Sequence, residues 1–393
     1  MSWKAAFRRF READPERLHF AAHSHHYWPD VAFEAQRRCW EDAARLADRK
    51  WERIFGEVIP RAQAGIAGIL KLSDPSTIAF GPNTHGFLLR LLSCLPQERA
   101  VRVLTSDGEF HSFERQLRRL EESGRAEVTR VPTEPFDSFT VRFRQAAAEG
   151  GRDLIYLSQV FYNSGYAVPD LPGIVAAVPE SEALVVIDGY HGFLARPTDL
   201  SAVEDRAFYM SGGYKYAMAG EGACFLHCPP GLAARPPDTG WFAAFGALTA
   251  KAQGEVPYGA DGSRFLGATF DPVGIYRQTA VLDWLAAEGI TAAAIHDHAR
   301  ALQEAFVAVL PRLGIPGLSA AALVVPLEET NRGNFLTFRT PQAGGLYEAL
   351  LARNVITDHR GDRLRFGFGI YQDHKDVAAL AERLHGLERP AFV

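Results

Sequence analysis

The spacing of apolar residues changes character along the chain. Over Trp3–Asp14, and again through "PDVAFEAQRRCWEDAARLADRKWERIFGEVIPRAQAGIAGILKL", apolar residues recur at three- and four-residue intervals. This spacing predicts a short amphipathic helix and then further helices, two or three in all before residue 73. Beyond that point the pattern becomes one of short apolar or β-branched runs, "RVLTSD", "AEVTRVP", "LIYLSQ", "ALVVID" and "RAFYMSG", separated by helical or polar stretches. Strands that alternate with helices predict a mainly parallel sheet covered on both faces, hence an α/β fold. The Pro-rich "PPGLAARPP" at Pro229–Pro237 interrupts this pattern, helical composition returns from Arg264, and "NFLTFRT" and "RLRFGFGI" supply two late strands. The expected organisation is a helical segment over 1–54, a large α/β domain over 55–260, and a smaller α+β domain over 261–393 to which the N-terminal segment contributes.

With 393 residues, 47% of them hydrophobic and 23% charged, the chain is long enough for a large buried core and for two domains. A formal net charge of -5 leaves no basic excess for nucleic acid, although "RQLRRLEESGR" can make a local patch. Charges scattered through the first twenty residues argue against a secretory signal, and no run approaches the roughly 18 apolar residues of a membrane span, so a soluble cytoplasmic protein is expected. Cys39, Cys94, Cys224 and Cys228 contain a single C-x3-C pair, too little for a metal site or a disulfide framework. The "HSHHYW" stretch groups His23, His25 and His26, but no carboxylate or cysteine completes a metal site at suitable spacing, and no metal is expected.

Candidate chemistry begins with "ALVVIDGYHGF", an apolar run that ends in Asp188. In parallel sheets ligands bind beyond the carboxyl ends of the strands, so a carboxylate there points toward a site; an aspartate that merely starts a turn is the alternative. Lys215 follows a second apolar run, within "SGGYKYAMAGEG". A lysine at a strand end among glycines and aromatics is partly desolvated, which favours the neutral, nucleophilic amine able to form a Schiff base. A carboxylate and a lysine on successive strands are what pyridoxal phosphate needs, the carboxylate keeping the ring nitrogen protonated.

"DGYHGF" followed by "SGGYKYAMAGEG" resembles the fold-type I pyridoxal-phosphate enzymes of aminotransferase class V, most closely the kynureninases, and the resemblance runs with gaps from about residue 75 to 380. It implies a large domain with a mainly parallel, seven-stranded-type sheet and a smaller C-terminal α+β domain. By the same resemblance Lys215 is the Schiff-base lysine, Asp188 pairs with the pyridinium, Tyr214 hydrogen-bonds the phosphate, and His191 lies near the phenolic side. "FGPNTHGFLLRLL" resembles the start of the phosphate-binding helix, with Thr84 and His85 as ligands; Asn and Thr are also ordinary helix caps. Phe110 resembles the ring-stacking phenylalanine. Trp241 in "TGWFAAFG" and Thr269 in "SRFLGAT" resemble further phosphate ligands, the second loop usually reaching in from a neighbouring subunit, which implies a homodimer with shared active sites. Arg365 resembles the arginine that grips the substrate carboxylate, with Arg363 on the same strand face one pair earlier. The N-terminal stretch, with Ser24 and His25, corresponds to one that lies along the substrate channel.

The chain departs from the kynureninase pattern at Phe113, where those enzymes carry an acidic residue, and at Gln159 and Phe161, which replace a histidine and an asparagine. Altered substrate-side contacts are therefore expected. The favoured reaction is hydrolysis of a β–γ carbon–carbon bond of L-kynurenine or a related substrate, with Lys215 and Tyr214 as proton carriers. Transfer of an amino group to a 2-oxo acid by a class V aminotransferase is the alternative, and a non-catalytic binding protein on the same fold is a third reading. Desulfurase chemistry is disfavoured because it needs a cysteine on a late loop, and none follows Cys228.

Overall fold

The computed structural model describes residues 2–247 and 254–387. Its strands are β1 (Leu18–His19), β2 (Ile78–Gly81), β3 (Val101–Ser106), β4 (Ala126–Val131), β5 (Leu154–Ser158), β6 (Leu184–Asp188), β7 (Ala207–Ser211), β8 (Cys224–His227), β9 (Phe335–Arg339), β10 (Val355–Ile356), β11 (Asp358–Arg360) and β12 (Arg363–Gly367). The helices are α1 (Arg8–Ala13), α2 (Asp30–Leu46), α3 (Lys50–Arg53), α4 (Ile59–Leu70), α5 (Thr84–Ser93), α6 (His111–Glu122), α7 (Phe136–Ala148), α8 (Leu171–Ala176), α9 (Val273–Ala287), α10 (Ala292–Leu313), α11 (Ala343–Leu351) and α12 (His374–Leu384).

The runs "LIYLSQ", "ALVVID" and "RAFYMSG" are strands buried on both faces, as their composition requires, whereas β4 at the sheet edge is exposed or half-buried over its four middle residues. They assemble into a seven-stranded sheet in the order β2-β8-β7-β6-β5-β3-β4. The neighbours from β7 through β4 run parallel, while β8 is antiparallel to both β2 and β7, so the expectation of a mainly parallel sheet holds. The sequence pattern misses β2 and β8: "IAFG" and "CFLH" are four residues each, too short to show a period of their own. One face of the sheet packs with Ile155, Leu157, Val185 and Ile187, the other with Leu154, Tyr156, Val186 and Phe208. Helix α9 is buried nearly all round and lies against α2 and α4.

A second core is built on the antiparallel sheet β11-β12-β9, where Leu336, Phe338, Leu364 and Phe366 pack against Phe306 of α10 and Leu380 of α12. The N-terminal strand β1 pairs in parallel with β10, which carries Leu18 and Phe20 into this core and draws the "HSHHYW" segment between the two cores. Among the described residues no helix is long and apolar enough to cross a membrane.

Candidate active site

The carboxyl ends of β3, β5, β6 and β7 carry Ser106, Ser158, Asp188 and Ser211 along one edge of the large sheet, where ligands of α/β folds collect. A cavity of about 220 Å³ opens there, and Thr84, His85, Phe110, Asp188, His191, Tyr214 and Lys215 all line it. Residues that lie far apart in the sequence, and that sequence reading singled out separately, thus meet in one place.

Lys215 is 5% exposed. Its Nζ lies 3.0 Å from His191 Nε2 and over the rings of Tyr190, Phe110 and Tyr214 at 4.7, 5.2 and 5.6 Å. Burial pushes its pKa from 10.5 down to about 7; Asp188 opposes this and Arg365 reinforces it. A substantial fraction of the amine is therefore uncharged near neutrality. Burial, with Lys215 and Arg365 adding to it, also holds the His191 pKa well below its ordinary value, so the imidazole is neutral. The tight turn after β7 leaves no room for side chains: a Cβ on Gly212 would sit 2.2 Å from the Tyr190 hydroxyl, and one on Gly220, whose φ is +70°, would sit 2.3 Å from the Trp28 ring.

Asp188 ends β6 with both oxygens engaged. Oδ1 accepts the Tyr190 backbone N–H at 2.9 Å and Oδ2 accepts the Tyr156 hydroxyl at 3.0 Å. Burial raises its pKa, while the Tyr190 bond, Lys215 and the Tyr156 bond act against that rise. At the other end of the cavity α5 begins at Thr84. The Asn83 side chain caps it by accepting the Gly86 N–H at 2.9 Å, and the helix start presents backbone donors and the positive end of its dipole to the cavity beside Tyr214. Burial pushes the Tyr214 hydroxyl up to about 12, so it stays protonated and able to donate.

Phe110 stands edge-on to Tyr162 at 5.4 Å, at the start of α6. Arg365 is 3% exposed and lies on β12 opposite Asp358 of β11; its guanidinium is held by the Asp358 carboxylate and the Tyr162 carbonyl, and Nε has no hydrogen-bond partner. Arg363 points away from the cavity, toward Glu134 at 3.2 Å and the Asn163 carbonyl at 3.1 Å. Ser24 and His25 do not line the cavity; His25 reaches it only through a residue that does. The His25 ring stacks on Tyr214 at 5.0 Å, and Ser24 Oγ is 3.4 Å from His25 Nδ1. The buried histidines of that segment are His23, stacked on Phe335 at 4.6 Å, and His26, whose Nδ1 is 2.6 Å from the Tyr27 carbonyl. Among the described residues no cluster of His, Cys, Asp and Glu is able to hold a metal ion.

Trp241 is 45% exposed and packs on Phe242 at 4.3 Å, and Thr269 is exposed; neither lines the cavity of this chain. The departures from the kynureninase pattern also need correcting, because none of the three alters the cavity lining. Gln159 turns to the opposite face, where it accepts the Tyr209 hydroxyl and donates to Thr198, both at 2.8 Å. Phe161 is core, edge-on to Phe139 at 5.2 Å. Phe113 stacks flat on Tyr156 at 3.6 Å and steadies the ring whose hydroxyl reaches Asp188. Sequence reading missed Tyr156, Tyr190, Glu109 and Asp358, and saw Ser158 only as part of a segment resembling one that lies over the cofactor. For Tyr156 and Ser158 a signal existed: they alternate with the apolar residues of "LIYLS" and so share a sheet face.

Comparison with known proteins bears on the fold and the family resemblance. Residues 295–384 match the family described as kynureninase C-terminal domain. A kynureninase of Burkholderia mallei is 31% identical over 239 residues, which is 59% of this chain and 55% of the relative. A kynureninase of Pseudomonas fluorescens is 29% identical over 220 residues, 55% of this chain and 51% of the relative. The chain thus spans about half the length of the curated relatives it matches. Among solved structures, the apo cysteine desulfurase of Thermococcus onnurineus superposes with a TM-score of 0.80 at 14% identity, covering 98% of each chain. A C-DES mutant with glycine covalently linked to its pyridoxal-phosphate cofactor gives 0.79 at 17% identity, covering 98% of this chain and 99% of the other. These findings bear out the resemblance read from Asp188 and Lys215: the chain is similar to the kynureninases, its residues 295–384 match the model of their C-terminal domain, and its fold is that of the pyridoxal-phosphate-linked and desulfurase structures it superposes on.

Proposed function

We propose that this chain is a pyridoxal-phosphate-dependent enzyme that hydrolyses a β–γ carbon–carbon bond in L-kynurenine or a related amino acid. The observation that carries the reading is the buried Lys215 amine, held near neutrality in a cavity that also presents Asp188, an aromatic cover and a helix N-terminus. This donor set fits the cofactor, with an amine for its aldehyde, a carboxylate for its ring nitrogen and backbone donors for its phosphate. Hydrolysis is preferred to transamination because the sequence similarity is to kynureninases.

When bound, pyridoxal phosphate supplies the electron sink that stabilises negative charge at a substrate α-carbon. Lys215 would bond its aldehyde, and Asp188, steadied by Tyr156 and Tyr190, would keep a proton on the ring nitrogen. Thr84, His85 and Tyr214 would hold the phosphate, Phe110 would cover the ring, and His191 would lie beside the phenolic oxygen. As a free amine Lys215 would be a base of suitable strength to carry a substrate α-proton, with the Tyr214 hydroxyl as a second carrier. Arg365 would take the substrate carboxylate through its unpartnered Nε edge or in place of Asp358. Ser24 and His25 would meet the substrate. Trp241 and Thr269 would complete the phosphate site, Thr269 from a second copy in a homodimer. Sulfur transfer lacks a nucleophile, since Cys224 is the cysteine that lines the cavity and burial pushes its thiol up to about 11.

The deciding experiment adds L-kynurenine to cofactor-loaded protein. Release of anthranilate supports the hydrolase. Conversion of the cofactor to its amine form by an amino acid, reversed by a 2-oxo acid, supports an aminotransferase and overturns the preferred reaction.

A further inference from the structure

His23 takes no part in the mechanism above, yet it is 1% exposed and stands against the sheet that carries Arg365. Pairing between β9, β12 and β11 sets Thr337, Arg365 and Asp358 side by side in one row. Directly paired residues share a sheet face, so all three point away from the second core, to which the alternate residues Leu336, Phe338, Leu364 and Phe366 turn. The next row on that face is Gly367 beside Phe335, and His23 covers it. Its ring stacks on Phe335 at 4.6 Å, and a Cβ on Gly367 would collide with its Nδ1, so this glycine makes the seat. The Gly367 N–H, donated to the Phe20 carbonyl at 2.7 Å, holds the segment in place.

Four atoms on this face have no hydrogen-bond partner among the described residues: both ring nitrogens of His23, Arg365 Nε and Thr337 Oγ1. Each belongs to a side chain that is at most 3% exposed. His23 Nε2 lies 3.8 Å from Asp358 Oδ2, too far for a hydrogen bond, and that oxygen already takes the Arg365 guanidinium. Either neutral tautomer of His23 has one N–H and protonation would add a second, so an unmet donor stands here in every charge state. Arg365 Nε–H is another, and the Thr337 hydroxyl can turn to supply a third. Buried donors are ordinarily paired, and three of them beside a guanidinium call for an acceptor with several lone pairs, such as a carboxylate. We propose that His23 is a substrate-specificity residue that donates, together with Arg365 Nε and Thr337 Oγ1, to the α-carboxylate of the amino-acid substrate. This rests on the proposal that the chain acts on an amino acid. The row lies one side chain behind the cavity wall made by Tyr162, whose carbonyl holds Arg365, and by His191, whose ring packs on Phe335 at 5.7 Å; the carboxylate enters between them.

Nitrogen-15 NMR of the His23 ring, assigned by the loss of its signals in His23→Phe, reads the contact in cofactor-loaded, full-length protein. L-alanine should shift the ring signals, and ethylamine, which is alanine without its carboxylate, should not; no shift with either, or equal shifts with both, overturns the proposal. Affinity for L-alanine, followed by the cofactor's absorption, gives a second reading. His23→Phe keeps the stack on Phe335 but has no N–H and should weaken binding at least about tenfold, while His23→Asn restores a donor and should stay within about threefold of wild type. The Phe variant should keep or raise the urea midpoint, because it removes two unpaired buried atoms. A lower midpoint with unchanged affinity marks a packing role and overturns the proposal, as do equal losses of affinity in both variants. Protein that takes up no cofactor sinks the cofactor reading, and the same NMR titration with L-kynurenine and its decarboxylated amine then decides the role of His23. L-alanine binding that depends on His23, without anthranilate release from L-kynurenine, sinks the hydrolase reading alone.

Discussion

Two buried polar clusters lie near enough for Arg365 and Asp358 to bear on the charge of Lys215, and they handle charge in opposite ways. At the edge of the seven-stranded sheet, Lys215 and Asp188 are desolvated, and among the described residues no direct ion pair joins Lys215 to a carboxylate. Both are consequently moved toward their neutral forms. On the three-stranded sheet, Arg365 is closed on Asp358, and Arg360 shares the same carboxylate at 2.8 Å. The first arrangement leaves groups poised to exchange protons and form bonds, whereas the second fixes a cation as a rigid grip. Burial alone does not make a residue reactive; burial without a direct ion pair does.

The comparison breaks most severely at Lys215. Lys215→Ala should lower turnover at least about 1,000-fold, roughly 4 kcal/mol of transition-state stabilisation, since no neighbouring group replaces the amine. Steady-state kinetics on cofactor-saturated protein measure this. Next comes the paired cluster: Asp358→Ala leaves a buried guanidinium uncompensated and should cost about 3 kcal/mol of stability, read from the urea midpoint. Arg365→Lys keeps the charge but loses the planar fork, so KM for the amino-acid substrate should rise about tenfold with kcat changed far less. The smallest effect is expected at Gln159. Because its amide faces Tyr209 and Thr198 and not the cavity, Gln159→His should leave KM within about twofold while lowering the urea midpoint.

The site was legible in the sequence where one strand end carried its own signal. Asp188 closes an apolar run and Lys215 follows another within a glycine-rich turn, so desolvation at a sheet edge could be argued from local context. What depends on register between strands was not legible. Tyr156 reaches Asp188, and Ser158 reaches Glu109, only because β3, β5 and β6 align their ends, and pairing partners are not written in any one segment. Gln159 and Phe161 were given to the substrate side because alternation beyond the last residue of β5 cannot be read once the strand has ended. Trp241 and Thr269 were assigned by resemblance alone, and neither lines the cavity of this chain.

The proposed bond from Lys215 to the cofactor rests on an amine that is buried with no carboxylate in a direct ion pair with it among the described residues. Borohydride reduction of protein loaded with pyridoxal phosphate, followed by peptide mass mapping, tests it most directly. The reduced cofactor should appear on the peptide that contains Lys215, and in apo-protein the reactivity of that amine toward an acylating reagent should fall as pH drops through about 7. Lys4, Lys50, Lys71, Lys251 and Lys375 serve as internal controls. Label on any of those lysines in place of Lys215, or no label at all, would contradict the account.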